Sequence, residues 1–306
     1  MASSFTSPGL ILASNQAIME AQRAIALAKL FSTDFSAELQ GVGKTLAVPV
    51  FSGSATVFDE TSNDYETTDG SIVPVKVSLD TVVKVTYSLA QQDLLELDKS
   101  STARNCGIAG GRAIARKIEE LILGKLDCAN RVAAVASFTV AKLGKALAEA
   151  EKAGIDPATC VVILDPDTYG DLLDANAANA AIRDDDIAGS LGRKYGCKAI
   201  VSSAKVSNVS TAAVSGGAAA VTKGVGFIVP DAAIAVAGRG IEQAEDGLYS
   251  EYGTQSDEKS GLTVTAFVHG TPGKNRRFMN VAALLGAALT RTATNGAPGY
   301  LQLVKA

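Results

Sequence analysis

The chain contains no tryptophan, a single histidine (His269) and only 5% aromatic residues. One imidazole excludes a metal centre built from several histidines, and a Ser-His or Cys-His catalytic pair would rest on His269 alone. No GxSxG nucleophile motif accompanies it, so His269 is expected to be structural. Ligand pockets and ordinary protein interfaces lean on aromatic side chains, so an assembling protein of this composition must use area instead. No run of about 18 apolar residues occurs, which excludes a membrane-spanning helix. The first residues lack both a basic region and an apolar h-region, so no signal peptide is expected. Cys106, Cys128, Cys160 and Cys197 are widely spaced and form no CxxC pair. Reduced, buried thiols in a cytosolic protein are expected from them, not a disulfide frame or a zinc site. Excess positive charge is missing too: the net charge of −4 argues against a nucleic-acid-binding domain, while leaving room for local basic patches.

What is present is an ordinary globular composition, 47% hydrophobic and 20% charged over 306 residues. Such a length forms one large domain or two, and buries about three quarters of its unfolded surface. The most organised stretch is 88–124. In its second half Ile108, Ile114, Ala115, Ile118, Leu121 and Ile122 form a helical stripe, with Arg112, Arg116, Lys117, Glu119 and Glu120 mostly off it. Ser100, Ser101 and Thr102 offer N-cap hydroxyls, and Gly124 offers a stop. Gly110 and Gly111 are anomalous in a helix interior, where each costs about 1 kcal/mol relative to alanine. They either admit a close backbone or mark a bend.

Residues 1–15 are Ser-rich and expected as an extended arm, followed by a short alanine-rich helix over 16–31. Segments 48–57 and 72–87 read as the strands of a long hairpin, the second alternating well. Its tip carries Asp59, Glu60, Asp64, Glu66 and Asp69 and no base. A lone long hairpin is marginal in water, so it is expected to lie on this chain or on a neighbour. A second amphipathic helix is expected over 139–154, with Leu143, Ala146, Leu147 and Ala150 inward and Gly154 as its cap. A buried strand over 158–164 and a short helix after Pro166 follow, then a helix or turn entering a strand at 198–202. Residues 206–222 are low-complexity, 226–237 pair a strand with a short helix, and 242–261 are polar. A strand is expected over 262–270 and a further strand or a turn over 276–286, and the C-terminal GYLQLVKA is expected to close a sheet edge. The class is α+β, with helices and antiparallel strands segregated and no βαβ repeat.

The motifs that suggest chemistry are weak. Gly41-Val42-Gly43-Lys44-Thr45 resembles the end of a phosphate loop, but Glu38 stands where the first glycine belongs and LAVPVF follows in place of a helix. Asp184, Asp185 and Asp186 are consecutive, so they point apart and lack calcium-loop spacing. No catalytic, cofactor-binding or metal residues are assigned. Arg276 and Arg277, with Lys274, form a basic cluster that either salt-bridges locally or receives an acidic segment such as the hairpin tip.

Three stretches together resemble the major capsid protein of tailed double-stranded-DNA bacteriophages, the Hong Kong 97-type fold. SLAQQDLLELD followed by GGRAIARKIEELILG looks like that family's short helix and spine helix. TCVVILDPDTYGDLL resembles the strand-turn-helix entering its axial domain, and GFIVPDAAIAVAGRG with GLTVTAFVHGTPGKNRRFMNVAALLGA resembles its late strands. The resemblance implies an N-terminal arm over 1–47 and an E-loop hairpin over 48–87. It implies a peripheral domain with the spine helix over 88–156 and 256–306, and an axial domain over 157–255. It further implies a non-enzymatic coat protein that assembles in the host cytoplasm through hexamers and pentamers. The icosahedral shell of the virion would enclose double-stranded DNA without sequence-specific binding and without a cofactor or membrane. A portal is an expected partner, and the resemblance implies a separate scaffolding protein or none, the chain being short for a built-in scaffold. Asp59, Glu60, Asp64, Glu66, Asp69, Arg276 and Arg277 are the inter-subunit candidates, and Gly110 and Gly111 the hinge or packing candidates. Two alternatives stand beside it: an encapsulin-type compartment shell, and an α/β enzyme using Asp165, Asp167 or His269.

Overall fold

The computed structural model describes residues 7–24, 27, 30–31, 45–53, 70–90, 99–126, 131–135, 137–176, 187–206, 224–241, 251–256, 263–270, 276–292 and 299–305. The chain enters through helix α1, Ser7–Ala24. This replaces the expected extended arm: the helix starts well before residue 16, because Pro8 falls in the first turn, where a missing N–H costs nothing. Strands β1 (Thr45–Gly53) and β2 (Gly70–Ser78) pair in an antiparallel two-stranded ribbon, from Thr45 opposite Ser78 to Gly53 opposite Gly70. The expected single strand over 72–87 is broken at Leu79–Asp80. Beyond the break β3 (Thr81–Ala90) belongs to a different sheet.

Helix α2 then runs Lys99–Leu123, about 38 Å at 1.5 Å per residue. Ser100, Ser101 and Thr102 therefore lie inside its first turn and are not its caps. Its buried stripe includes Ala103, Cys106, Ile114, Ala115, Ile118 and Ile122, and Gly124 donates its N–H to Glu120 O as the helix ends. Next come β4 (Arg131–Val135) and α3 (Leu143–Lys152), the latter burying Leu143, Ala146, Leu147 and Ala150 as the spacing predicts. Gly154 follows at φ +80, a left-handed position suited to glycine. Strand β5 (Cys160–Leu164) leads into α4 (Pro166–Asn176), then α5 (Ile187–Tyr195) and β6 (Ala199–Ser202).

Strands β7 (Gly224–Pro230) and β8 (Ile234–Arg239) are separated only by a 3-10 turn, where a short helix was expected. Strand β9 (Glu251–Ser256) occupies the polar stretch, then β10 (Thr263–Gly270), β11 (Arg276–Leu289) and β12 (Tyr300–Val304) complete the chain.

Two five-stranded sheets result. The first has the order β3-β11-β10-β9, all antiparallel. The 14-residue β11 is its axis: β3 lines one flank, while β10 and then β8 line the other, β8 from Leu284 to Leu289. The second sheet has the order β4-β12-β7-β5-β6, mixing parallel and antiparallel pairs. Strand β12 lies inside it and is buried at every residue, so the C-terminal segment is interior, not an edge. The parallel β5–β6 pair is joined through α4 and α5, a single crossover that the segregated reading did not include. Sheet membership cuts across the segments named above. Strand β4, α3 and β12 share the second sheet and its core, while β8 and β9 join the first.

Helix α2 unites the two sheets. Ile118 and Ile122 share one core with Val83, Val281 and Leu285 of the first sheet and with Val161, Ile163, Phe227 and Tyr300 of the second. The opposite face of the second sheet, through Val162, Leu164 and Leu301, packs on α3, Leu172 of α4 and Leu191 of α5. Burial on both faces is why β5 reads as an unbroken apolar run.

Candidate interaction surfaces

Helix α1 lies along α2 on a seam of small residues. A Cβ added to Gly107 would sit 3.0 Å from Ala13 Cα, and one added to Gly111 would sit 2.9 Å from Ala17 Cα, with each alanine's carbonyl oxygen closer still. Residues four apart share a helix face, so Gly107 and Gly111 open one groove into which Ala13 and Ala17 fit. Gly110 is turned away from that seam, and a Cβ there would lie 2.8 Å from Val281 Cβ of β11. The adjacent glycines thus face different neighbours. The sequence reading missed Gly107; its spacing of four from Gly111, matched by Ala13 and Ala17, was the available signal.

The β1–β2 ribbon has two unlike faces. At its root Leu46, Val48, Val77 and Leu79 pack on Ala235 and Ala237 of β8, beside Leu284 and Ala288 of β11. Leu284 and Ala288 alternate with Val281, Ala283 and Leu285, which face α2, so ribbon and helix lie on opposite faces of the first sheet. The outer face of the ribbon pairs Ala47 with Lys76, Pro49 with Pro74 and Phe51 with Ile72. Phe51 and Ile72 are 71% and 64% exposed. Opposed prolines fit only a pair that exchanges no ladder bonds, so their nitrogens point to the two outer edges. Each edge loses a donor near mid-length, which discourages a further strand from adding. The ribbon therefore presents a face and not an edge.

The acidic tip, with Asp59, Glu60, Asp64, Glu66 and Asp69, lies outside the described residues, as do Cys128, Lys274 and Asp184, Asp185 and Asp186. Arg276 opens β11 opposite Ala90, and Arg277, half-buried, stands opposite Leu89 and Gly270.

Of the residues considered for catalysis, Asp165 and His269 make structural contacts, while Asp167 is exposed in the first turn of α4. Asp165 is buried and accepts the Thr168 N–H at 3.2 Å, capping α4. His269, in the other sheet, has its Nδ1 2.8 Å from Asn280 Nδ2 and its ring stacked on Phe278 with centroids 5.2 Å apart. Among the described residues no group of three or more His, Cys, Asp or Glu is placed to hold a metal. Burial pushes the Cys160 thiol up to about 12, helped by Cys197, Asp156 and Asp231, and pushes Cys197 up to about 11. Such thiols are inert. At the end of α2 the carboxyl of Glu119 is raised by burial, against the opposing pull of a Ser203 hydrogen bond, Lys205 and Arg116. Glu120 is held down to about 2 by hydrogen bonds from Lys117 at 2.8 Å and Lys205 at 2.6 Å. These contacts tie the helix to the exit of β6.

No protein-family model and no curated protein sequence matches the chain. Solved structures do. The capsid of a native GTA particle, 12% identical, matches over 87% of this chain and 86% of its own, with a TM-score of 0.54. The capsid of cyanophage P-SCSP1u, 14% identical, matches over 87% of this chain and 84% of its own at a TM-score of 0.51. A chain of Mycobacterium phage Che8, 13% identical, matches over 90% of this chain and 89% of its own, also at 0.51. At such identities it is the fold that is shared. The mixed helix-and-sheet fold of this chain is that of bacteriophage capsid proteins.

Proposed function

We propose that the chain is the major capsid protein of a tailed double-stranded-DNA phage. In that role it assembles through hexamers and pentamers into the icosahedral shell of the virion. The observation that carries the reading is the ribbon: an apolar outer face headed by Phe51 and Ile72, on a chain with the capsid fold. In a monomer that face is a liability, and in a shell it lies on a neighbour. On this reading the ribbon is the E-loop of a Hong Kong 97-type subunit, α2 is its spine helix, and 1–47 its arm. The peripheral domain then draws mainly on 88–156 and 256–306 and the axial domain mainly on 157–255, with β4, α3 and β12 falling on the axial side and β8 and β9 on the peripheral side. Portal, scaffolding protein and packaged DNA are the partners, and assembly takes place in the host cytoplasm. The structures named above come from phages or a GTA particle, which does not favour a compartment shell.

Electron microscopy and light scattering of the purified chain test this. Megadalton icosahedral particles, or capsomers that convert to them, are expected, and a monomer under all assembly conditions would sink the proposal. The acidic tip is proposed to dock on a basic surface of the adjacent subunit, with Arg276 and Arg277 as one candidate. An exposed ion pair contributes only about 0–1 kcal/mol, but a shell repeats it in every subunit. Neutralising Asp59, Glu60, Asp64, Glu66 and Asp69 together should weaken assembly and its salt sensitivity while the subunit stays folded. Unchanged assembly would remove the tip from the interface.

A further inference from the structure

We infer that the outward face of α1 is a two-fold contact between copies of this chain, in which two α1 helices cross antiparallel about Asn15. The inference rests on the shell reading proposed above, because this face alone is too small to hold a free dimer.

Among the described residues, the large apolar side chains left exposed are Ile11, Met19, Phe51, Ile72, Val82 and Val132. Phe51 and Ile72 belong to the ribbon, and Val82 and Val132 stand singly on β3 and β4, which leaves the pair on α1. Ile11, Asn15 and Met19 recur every four residues and so share one face of the helix. Ala13 and Ala17, which seat on α2, lie about half a turn away, so this face is the free border of α1. Ile11 and Met19 are 44% and 48% exposed. Asn15 between them is half-buried, and its amide makes no hydrogen bond among the described residues.

The pattern is self-complementary. Ile11 and Met19 stand at equal distances from Asn15, about 6 Å along the axis on either side. A two-fold axis through Asn15 therefore sets Ile11 on Met19 of the second copy, and Met19 on its Ile11. The two Asn15 amides meet at the axis, where each donates an N–H to the other's oxygen. A polar pair among apolar contacts fixes the register. Charge offers no obstacle, since no charged side chain precedes Glu20. In this register Glu20 and Arg23 fall opposite positions 10 and 7 of the second copy, a leucine and a serine, so no like charges meet. An uncharged face with one centred amide gives a charged partner nothing to hold, whereas it matches itself. About two turns of helix fall far short of the roughly 1,200–2,000 Å² of a stable pairwise interface. The contact therefore forms between copies that other contacts already hold together. An isologous contact of that kind belongs at the two-fold axes where capsomers abut.

The test is thiol cross-linking of the full chain in a Cys128→Ser background, where the described native thiols Cys106, Cys160 and Cys197 are buried. Helices packed about 8–10 Å apart place facing Cα atoms about 4–5 Å apart, within disulfide reach. Asn15→Cys should therefore link to itself under mild oxidation of assembled particles, read as dimers on a non-reducing gel. Ile11→Cys alone and Met19→Cys alone should give at least about tenfold less dimer, because each position lies about 12 Å from its own copy. Particles co-assembled from those two variants should link again. Each variant should melt with its parent, the substituted positions lying outside the core of the subunit. Self-linking of Ile11→Cys equal to that of Asn15→Cys overturns the antiparallel pair. So do shells in which Asn15→Cys stays monomeric, and a thiol that is also shielded from maleimide there would place another segment on α1. Electron microscopy of the same preparations keeps the two proposals apart. Shells without the Asn15→Cys link remove only the α1 contact; the link without shells keeps the contact and removes the shell.

Discussion

Replacing Gly107 and Gly111 together by alanine is expected to lower the thermal midpoint of the subunit by roughly 5–15 °C. Each new methyl would meet the α1 backbone at Ala13 or Ala17, and a backbone has no rotamer by which to yield. Overpacking of this kind costs about 1–3 kcal/mol per site, and the rigid neighbour places both sites near the upper end. Alanine returns at most about 1 kcal/mol per site in helix propensity. The net loss is about 2–4 kcal/mol, and for a chain of this size each kcal/mol moves the midpoint by about 2–4 °C. Gly170→Ala is the control. It lies within α4 with nothing inside 4 Å of the added Cβ, so the same substitution should raise the midpoint slightly. Circular dichroism melts and the soluble fraction of each variant decide the matter, and a double variant melting with wild type would remove the seam from the account. The pair Gly110→Ala and Gly111→Ala separates hinge from packing. A hinge role predicts precursor shells that fail to expand. The contacts with Val281 and Ala17 predict earlier failure, as insoluble subunits.

What the sequence shows and what it hides follow from how each element is held. Helix α2, α3 and β5 carry their burial in their own pattern: an apolar stripe at helical period, or the continuous run CVVIL. Helix α1 was half hidden because its first turn is Ser-Pro-Gly, which suggests a loop, although proline is tolerated there. Strand β9, EYGTQS, has no apolar alternation. It exists because β10 supplies its ladder, and because Tyr252 donates to Ile241 O while Thr254 bonds Thr265 across the pair. The interior place of β12 was concealed by Gln302, which reads as an edge residue. In the sheet it is buried, its Oε1 accepting from Arg131 Nη1 at 2.7 Å. Pairing order is set by contacts remote in sequence, so no local pattern places β12 between β4 and β7. The interaction surfaces were legible in part: the glycines stood out, but their separate neighbours appear only once α1 and β11 are in place. Phe51 and Ile72 looked like ordinary strand residues until the register set them side by side on the open face.

Replacing those two residues, Phe51→Thr and Ile72→Thr, should abolish shell assembly while leaving the subunit folded. Threonine keeps the β-branched preference for strand, so the ribbon itself is retained. Both side chains are more than half exposed in the subunit, and exposed substitutions usually change stability by less than about 0.5 kcal/mol. In an assembled shell, burying a phenylalanine or isoleucine contributes about 1.5–3 kcal/mol, so the pair supplies about 3–6 kcal/mol at every ribbon contact. At 1.4 kcal/mol per tenfold, that weakens each contact by roughly 100- to 20,000-fold. Strand addition cannot compensate, because Pro49 and Pro74 remove a donor from each edge of the ribbon. A closed shell needs all its contacts together, so at concentrations where wild type assembles the double variant should remain as small species by light scattering. Its melting temperature should match wild type within about 2 °C, the scale of a sub-kcal/mol surface change. Normal particles from the variant would show that the ribbon face lies free in the shell. A large drop in melting temperature would show instead that the face is covered by its own chain, and either result would take the ribbon out of the assembly interface.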